Sequence, residues 1–299
     1  MAVCVGLGLL AVVGLSVLGV ALASSGATST TSIQQAAGLG ASESTGSCLV
    51  WGDPHFETFD HSFPSVFGEG EQWLVKSSTV SIQARFMATP FTNGLAATQS
   101  VAVGGPFLNG HTIVVGPLEG DGRIAVDGTP ILTSFPSTYS LDGIATLSYN
   151  DVGSLVDAAQ TSLKKRIVHM DLPSGVRLQV MRWANHINVR ISTHFAQKLR
   201  SLTDGLCGNF NKDPSDDTPA LVASRNAANV ADRDCMFDHR GSFKPTATHS
   251  IEECKKDVQR YNKAVEICST ATTPALKEGC VFDVCFAGAR YAEQIGLKA

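Results

Sequence analysis

The chain has 299 residues, of which 43% are hydrophobic and 17% charged, with 28 glycines and a net charge of −4. That is room for one large domain with an appendage, and enough apolar material for a real core with many turns. The charge balance leaves no basic surface for nucleic acid, and Lys164-Lys165-Arg166 reads as the solvated start of a strand.

Residues 1–23 carry no charged side chain, and Ala21-Leu22-Ala23 precedes Ser24 as a small-residue cleavage site would. The run is also long enough to span a bilayer. A cleaved signal peptide is the favoured reading and a retained membrane anchor the alternative. Both put the rest of the chain outside the cytosol, where disulfides persist. Residues 24–47 are rich in Ser, Thr, Gly and Ala and read as a flexible linker. Beyond Cys4 in the leader, seven cysteines remain, and an odd number leaves a disulfide-linked homodimer open.

From Trp51 onward the pattern is that of strands. Val80, Ile82, Ala84 and Phe86 alternate with Ser81, Gln83 and Arg85. Val101-Val103, Ile113-Val115 and Ile124-Val126 continue it, broken by Gly104-Gly105, Gly116-Pro117 and Asp127-Gly128. Ile167–Leu172 and Val176–Trp183 flank Pro173-Ser174-Gly175 as a hairpin, and His186–Ile191 is one more strand. Short strands without intervening helices predict a mainly β fold, an antiparallel two-sheet β-sandwich.

After Pro219 the texture changes. Apolar or cysteine positions 251, 254, 258, 261, 265 and 268 make a three-four stripe, predicting one helix over 251–268 opened by a Ser250/Glu253 capping box. Pro274 to Ile295 reads as a second helical stretch. The predicted division is leader 1–23, linker 24–47, β-sandwich 48–220 and a small disulfide-bearing α-helical tail 221–299.

The loop Gly205-Leu206-Cys207-Gly208-Asn209-Phe210-Asn211-Lys212-Asp213-Pro214-Ser215-Asp216-Asp217 places oxygen donors at alternate positions on a glycine-permitted turn. A hard cation that takes six to eight oxygens needs such a loop, although a solvated turn shares the composition. Far upstream stands Cys48-Leu49-Val50-Trp51-Gly52-Asp53-Pro54-His55-Phe56-Glu57-Thr58-Phe59-Asp60. Taken in order, this opening and the Gly-Leu-Cys-Gly-Asn-Phe-Asn closing resemble the von Willebrand factor type D domain over about residues 48–220. Glu278–Cys285 looks like the end of the eight-cysteine module that commonly follows such a domain, here in reduced form.

The resemblance implies a disulfide between Cys48 and Cys207, which would bring both motifs together. On that footing Asp53, Asn209, Asn211, Asp216 and Asp217 are expected to give side-chain oxygens to one Ca2+, with Asp213 contributing its carboxylate or its backbone carbonyl. An oxygen-only set argues against zinc. The expected role is an extracellular structural or adhesive module acting on extracellular proteins, matrix or mucus components. It would meet a membrane only through a retained leader.

Two alternatives follow from the same resemblance. Several family members cleave themselves at Gly-Asp-Pro-His at low pH, which would put Asp53, Pro54 and His55 in a self-cleaving site. Lipid carriers also contain such domains, although their long cavity region has no room here. No enzyme of another kind is expected, because Ser154 and Ser174 lack a nucleophile elbow and Gly104-Gly105 leads into Pro106 rather than a helix. The closing motif reads Asp204-Gly205-Leu206-Cys207 and so lacks the first cysteine of the Cys-Gly-Leu-Cys that multimerising relatives carry.

Overall fold

The computed structural model describes residues 45–295, apart from 90, 91, 93, 121, 154, 156–164, 194–202, 240 and 245–248. The leader and nearly all of the linker lie outside the described residues. Among those described, no helix is long and apolar enough to cross a membrane.

The strands are β1 (Gly46–Trp51), β2 (His55–Glu57), β3 (Gly70–Lys76), β4 (Ser81–Ala88), β5 (Ala96–Gly104), β6 (Ile113–Val115), β7 (Ile124–Val126), β8 (Thr129–Pro130), β9 (Ser137–Leu141), β10 (Ala145–Asn150), β11 (Ile167–Asp171), β12 (Val176–Arg182) and β13 (Ile187–Thr193). They form two antiparallel sheets, ordered β2-β1-β13-β12-β11-β10-β9 and β3-β4-β5-β6-β7-β8. Alternation explains the pairing. In β12, Val176, Leu178 and Val180 are buried while Arg177 is exposed, and the 173–175 turn sets the register Val180↔Val168 with β11. The inner faces of both sheets meet in one core that includes Val50, Phe56, Leu74, Ile82, Phe86, Leu147 and Ile191. Each such side chain contributes about 1.5–3 kcal/mol by leaving water.

Pairing starts at Gly46, opposite Thr193, two residues inside the stretch read as linker. A side chain there would meet the Phe210 ring at 2.6 Å, so glycine lets the closing loop lie against the first strand.

The outer faces are not left to water. On the six-stranded sheet, Gln83 and Arg85 do oppose the core as their alternation predicts, yet both are buried. The segment around Asp234–Gly241 lies over them. The Gln83 amide donates to the Asp234 carbonyl at 2.6 Å and accepts from Met236 N–H at 2.9 Å. Arg85 donates twice to Glu71 Oε1, at 3.0 and 2.7 Å, and once to the His239 carbonyl. The Cys235 thiol donates to the other Glu71 oxygen at 3.4 Å. Buried charges persist when every polar atom finds such a partner.

On the seven-stranded sheet, the outward side chains Leu49, Trp51, Ile167 and Met181 form a second apolar cluster with the tail. The tail contains α1 (Pro219–Ser224), α2 (Ile251–Lys256), α3 (Val258–Ile267), α4 (Pro274–Phe286) and a final 3-10 turn, Ala289–Ile295. Disulfides Cys254–Cys285 and Cys268–Cys280 cross-link it. The capping box at Ser250 and Glu253 forms. The single helix predicted over 251–268 does not. It breaks at Asp257, where φ −96° and ψ 87° leave the helical region. The Asp257 N–H ends α2 on the Cys254 carbonyl, and its carboxylate opens α3 by accepting from Arg260 N–H at 3.1 Å. A short acidic side chain that can bond nearby backbone competes with helix continuation.

Candidate functional site

Cys48 on β1 is bonded to Cys207, with Cα atoms 5.6 Å apart and 159 positions between them. The closing motif is held from the other sheet as well. Leu206 N–H donates to the Trp73 carbonyl at 2.9 Å and Cys207 N–H to the Leu74 carbonyl at 3.0 Å. Gly205, at φ +122°, would drive a side chain to 2.6 Å from the Leu74 carbonyl oxygen. Gly205→Ala therefore meets both a disallowed backbone angle and a backbone clash, and is expected to cost about 2 kcal/mol or more. A lower urea midpoint at unchanged slope would record it.

The following loop is organised by acids. Asp60, just after β2, accepts from the backbone N–H groups of Asn211 at 2.9 Å and Lys212 at 2.7 Å. Asp217 accepts from the Thr58 hydroxyl at 2.8 Å and from Asn209 N–H at 3.3 Å. The Asn209 and Asn211 amides both donate to Asp216 Oδ2, each at 2.8 Å. Gly208, at φ +86°, would put a side chain 2.2 Å from Asp217 Oδ2, so the acid lies directly over the turn. The aromatic rings of Phe59 and Phe210, 5.3 Å apart, close the apolar underside.

Three acids gather here, and the cation beside them, Arg225, is paired with Asp204 and reaches the cluster through the Asp216 carbonyl at 3.0 Å. Asp216 Oδ1 is buried with no hydrogen-bond partner. Burial pushes the Asp217 carboxyl up from its ordinary 3.8 to about 6, and the charges of Asp60 and Asp216 push the same way. Among the described residues no three His, Cys, Asp or Glu side chains could hold a metal by themselves, so amide oxygens would have to complete a set. An unpartnered buried oxygen among acids and amides is what a hard, oxygen-seeking cation fits.

The predicted ligands divide. Asn209, Asn211, Asp216 and Asp217 are brought together. Asp213 acts on its own turn, where its Oδ1 accepts from the Ser215 N–H at 2.9 Å and hydroxyl at 2.6 Å and so caps the 3-10 turn Pro214–Asp216. Asp53 is not at the loop, which corrects its place in the expected set. Its charged neighbours are Asp283 and His55, whereas those of Asp217 are Asp60 and Asp216. The turn between β1 and β2 carries Asp53 away, and Asp60, just after β2, is the acid of the opening motif that meets the loop. The Thr-Phe-Asp end of the opening motif already held that acid.

Asp53 belongs to a second, dry cluster. Asp53, His55 and Asp283 are 0%, 4% and 2% exposed. His55 Nε2 is hydrogen-bonded to Asp283 Oδ1 at 2.7 Å, and its Nδ1 to the Ser65 hydroxyl at 2.7 Å. Burial lowers the His55 pKa to about 4, so the ring is neutral. Neither Asp53 oxygen meets a fixed donor. Its neighbour is the Asp283 carboxyl, and burial together with that second acid raises Asp53 well above the usual range. Burial raises Asp283 likewise. Two buried acceptors side by side are satisfied by a proton between them. Asp283 was not among the expected residues. An acid inside the apolar run Val281-Phe282-Asp283-Val284 was its trace in the sequence.

The profile of the von Willebrand factor type D domain matches residues 48–219. Mucin-5AC of Homo sapiens is 27% identical over 264 residues, covering 80% of this chain and 4% of that protein. SCO-spondin of Gallus gallus is 28% identical over 173 residues, covering 58% of this chain and 3% of that protein. The chain thus spans a small fraction of either relative.

Proposed function

The chain belongs to the von Willebrand factor type D domain family, and from that premise we propose an extracellular, disulfide-stapled structural or adhesive module whose closing loop binds one Ca2+. Asp60, Asn209, Asn211, Asp216 and Asp217 are the residues that would hold the ion. Bound there, Ca2+ supplies positive charge among oxygens that otherwise repel one another. The observation that carries the reading is the buried, unpartnered Asp216 Oδ1 beside Asp60 and Asp217. The likeness to a mucin and to SCO-spondin supports matrix or mucus proteins as partners. Calorimetric titration of chelator-treated protein with CaCl2 is expected to give one site per chain, lost in Asp216→Asn. Absence of heat in the unaltered protein would remove the calcium assignment.

The Asp53–His55–Asp283 cluster favours a second reading, cleavage of the chain at its own Asp53–Pro54 bond. A buried carboxyl raised well above its ordinary range by burial and a second acid sits on a peptide link in which a side-chain carboxyl can attack its own carbonyl and expel a proline nitrogen. The acid of the chain's other such link, Asp213–Pro214, is exposed and held below the usual range. Incubation near pH 5 is expected to yield two fragments on reducing gels and one band on non-reducing gels, because Cys48–Cys207 spans the cut. A single band on both gels would remove this reading.

A further inference from the structure

We propose that Asp283, carried by tail helix α4, is the positioning residue for scission of the Asp53–Pro54 bond, sharing with Asp53 the proton that must pass to the Pro54 nitrogen. The inference rests on the self-cleavage reading above. Its geometry comes from three contacts. Asp283 Oδ1 is 2.7 Å from His55 Nε2. Asp283 Oδ2 would be 2.3 Å from a side chain at Gly52, so it presses on the backbone just before Asp53. One turn earlier on α4, Gly279 would put a side chain 3.1 Å from the His55 ring, so a larger residue there would have to push ring or helix back by a few tenths of an ångström. The tail therefore reaches into the motif from 228 positions away.

The step balances without a co-reactant other than water. The ionised Asp53 carboxylate attacks its own main-chain carbonyl carbon, forming a C–O bond. The C–N bond to Pro54 breaks, and the nitrogen takes the proton that the acid pair had shared. One water opens the cyclic anhydride, leaving a C-terminal Asp53 with both carboxyl groups and an N-terminal Pro54. The reactive form has one proton between two acids, as in other carboxyl dyads. His55, neutral and fixed by Ser65, orients Asp283. Among the described residues Tyr291 also senses Asp53, and burial raises its pKa so that its hydroxyl stays neutral. Beside His55 lies a cleft of about 760 Å³, walled by Trp51, Phe63, Phe67 and Phe282, with Lys255 and Glu278 among its lining residues, from which the hydrolytic water would come.

The test compares full-length protein with Asp283→Asn and Asp283→Glu over pH 4–8, following fragments on reducing gels. The unaltered chain is expected to give a bell-shaped rate profile. Asp283→Asn should slow cleavage at least tenfold above pH 5 and leave only a rise toward low pH, while Asp283→Glu restores part of the bell. Carbonyl 13C NMR of the Asp53 side chain, assigned against Asp53→Asn, is the second measurement. Its titration should move to lower pH in Asp283→Asn. Equal rates and an unmoved Asp53 titration would overturn the proposal. Should the unaltered chain stay whole at every pH, the self-cleavage reading falls and with it the role in scission. The Asp53 titration would then decide only whether the two acids share a proton.

Discussion

Replacing Cys48 and Cys207 together by alanine is expected to remove about 5 kcal/mol of stability, from the loss of loop closure in the unfolded chain. The bond spans 159 positions, against 31 for Cys254–Cys285 and 12 for Cys268–Cys280. The same chain-entropy argument gives about 4 and about 3 kcal/mol for those two. Both sulfurs of the long bond are also fully buried in the main core, so truncation adds a packing defect. Domains of this size are stable by only about 5–15 kcal/mol, so the double variant should lose cooperative folding at 37 °C. Urea unfolding followed by tryptophan fluorescence checks the ranking. Equal losses for all three pairs would mean that loop length does not govern their worth here.

The second large effect concerns calcium. At a free concentration one hundredfold above the dissociation constant, a ligand that binds only the folded state adds about 2.7 kcal/mol. For a chain of this length that is roughly 5–10 °C in melting temperature. Chelation at pH 7.4 is expected to remove it. The sign of the pH effect follows from Asp217. Its folded pKa, about 6, lies above the ordinary 3.8, so folding favours the protonated acid. Without calcium its contribution is intact below about pH 4 and is lost as pH rises through 6. With calcium that loss is compensated, so chelation should matter little at pH 4 and much at pH 7. Asp60→Ala is expected to abolish the calcium response and to cost about 1–2 kcal/mol besides, because it removes the acceptor of the Lys212 N–H and leaves the Asn211 N–H with the Asn209 Oδ1 alone. Scanning calorimetry with and without EGTA at both pH values tests this, and a melting temperature indifferent to chelation at pH 7.4 would end the calcium account.

Much of the sandwich was legible because half-buried strands alternate, as β12 and β13 do. What alternation cannot report is a second covering. Gln83 and Arg85 show in the sequence only as the polar half of an alternation, and a segment about 150 residues later makes them interior. The 251–268 stripe was equally real, but periodicity does not register that Asp257 satisfies backbone on both sides and breaks the helix. The candidate site shows the same limit. Residue types in the closing loop pointed to oxygen chemistry, whereas choosing between Asp53 and Asp60 required knowing which end of a three-residue strand meets that loop. Asp283 could be found only through the contact of α4 with His55.

The Cys48–Cys207 bond has a mechanical consequence. A pull transmitted from before β1 to beyond the closing loop runs through the two sulfurs and bypasses everything between them. Those intervening residues, roughly 500 Å if drawn out straight, stay slack under load, a hidden length that only a reductant can release.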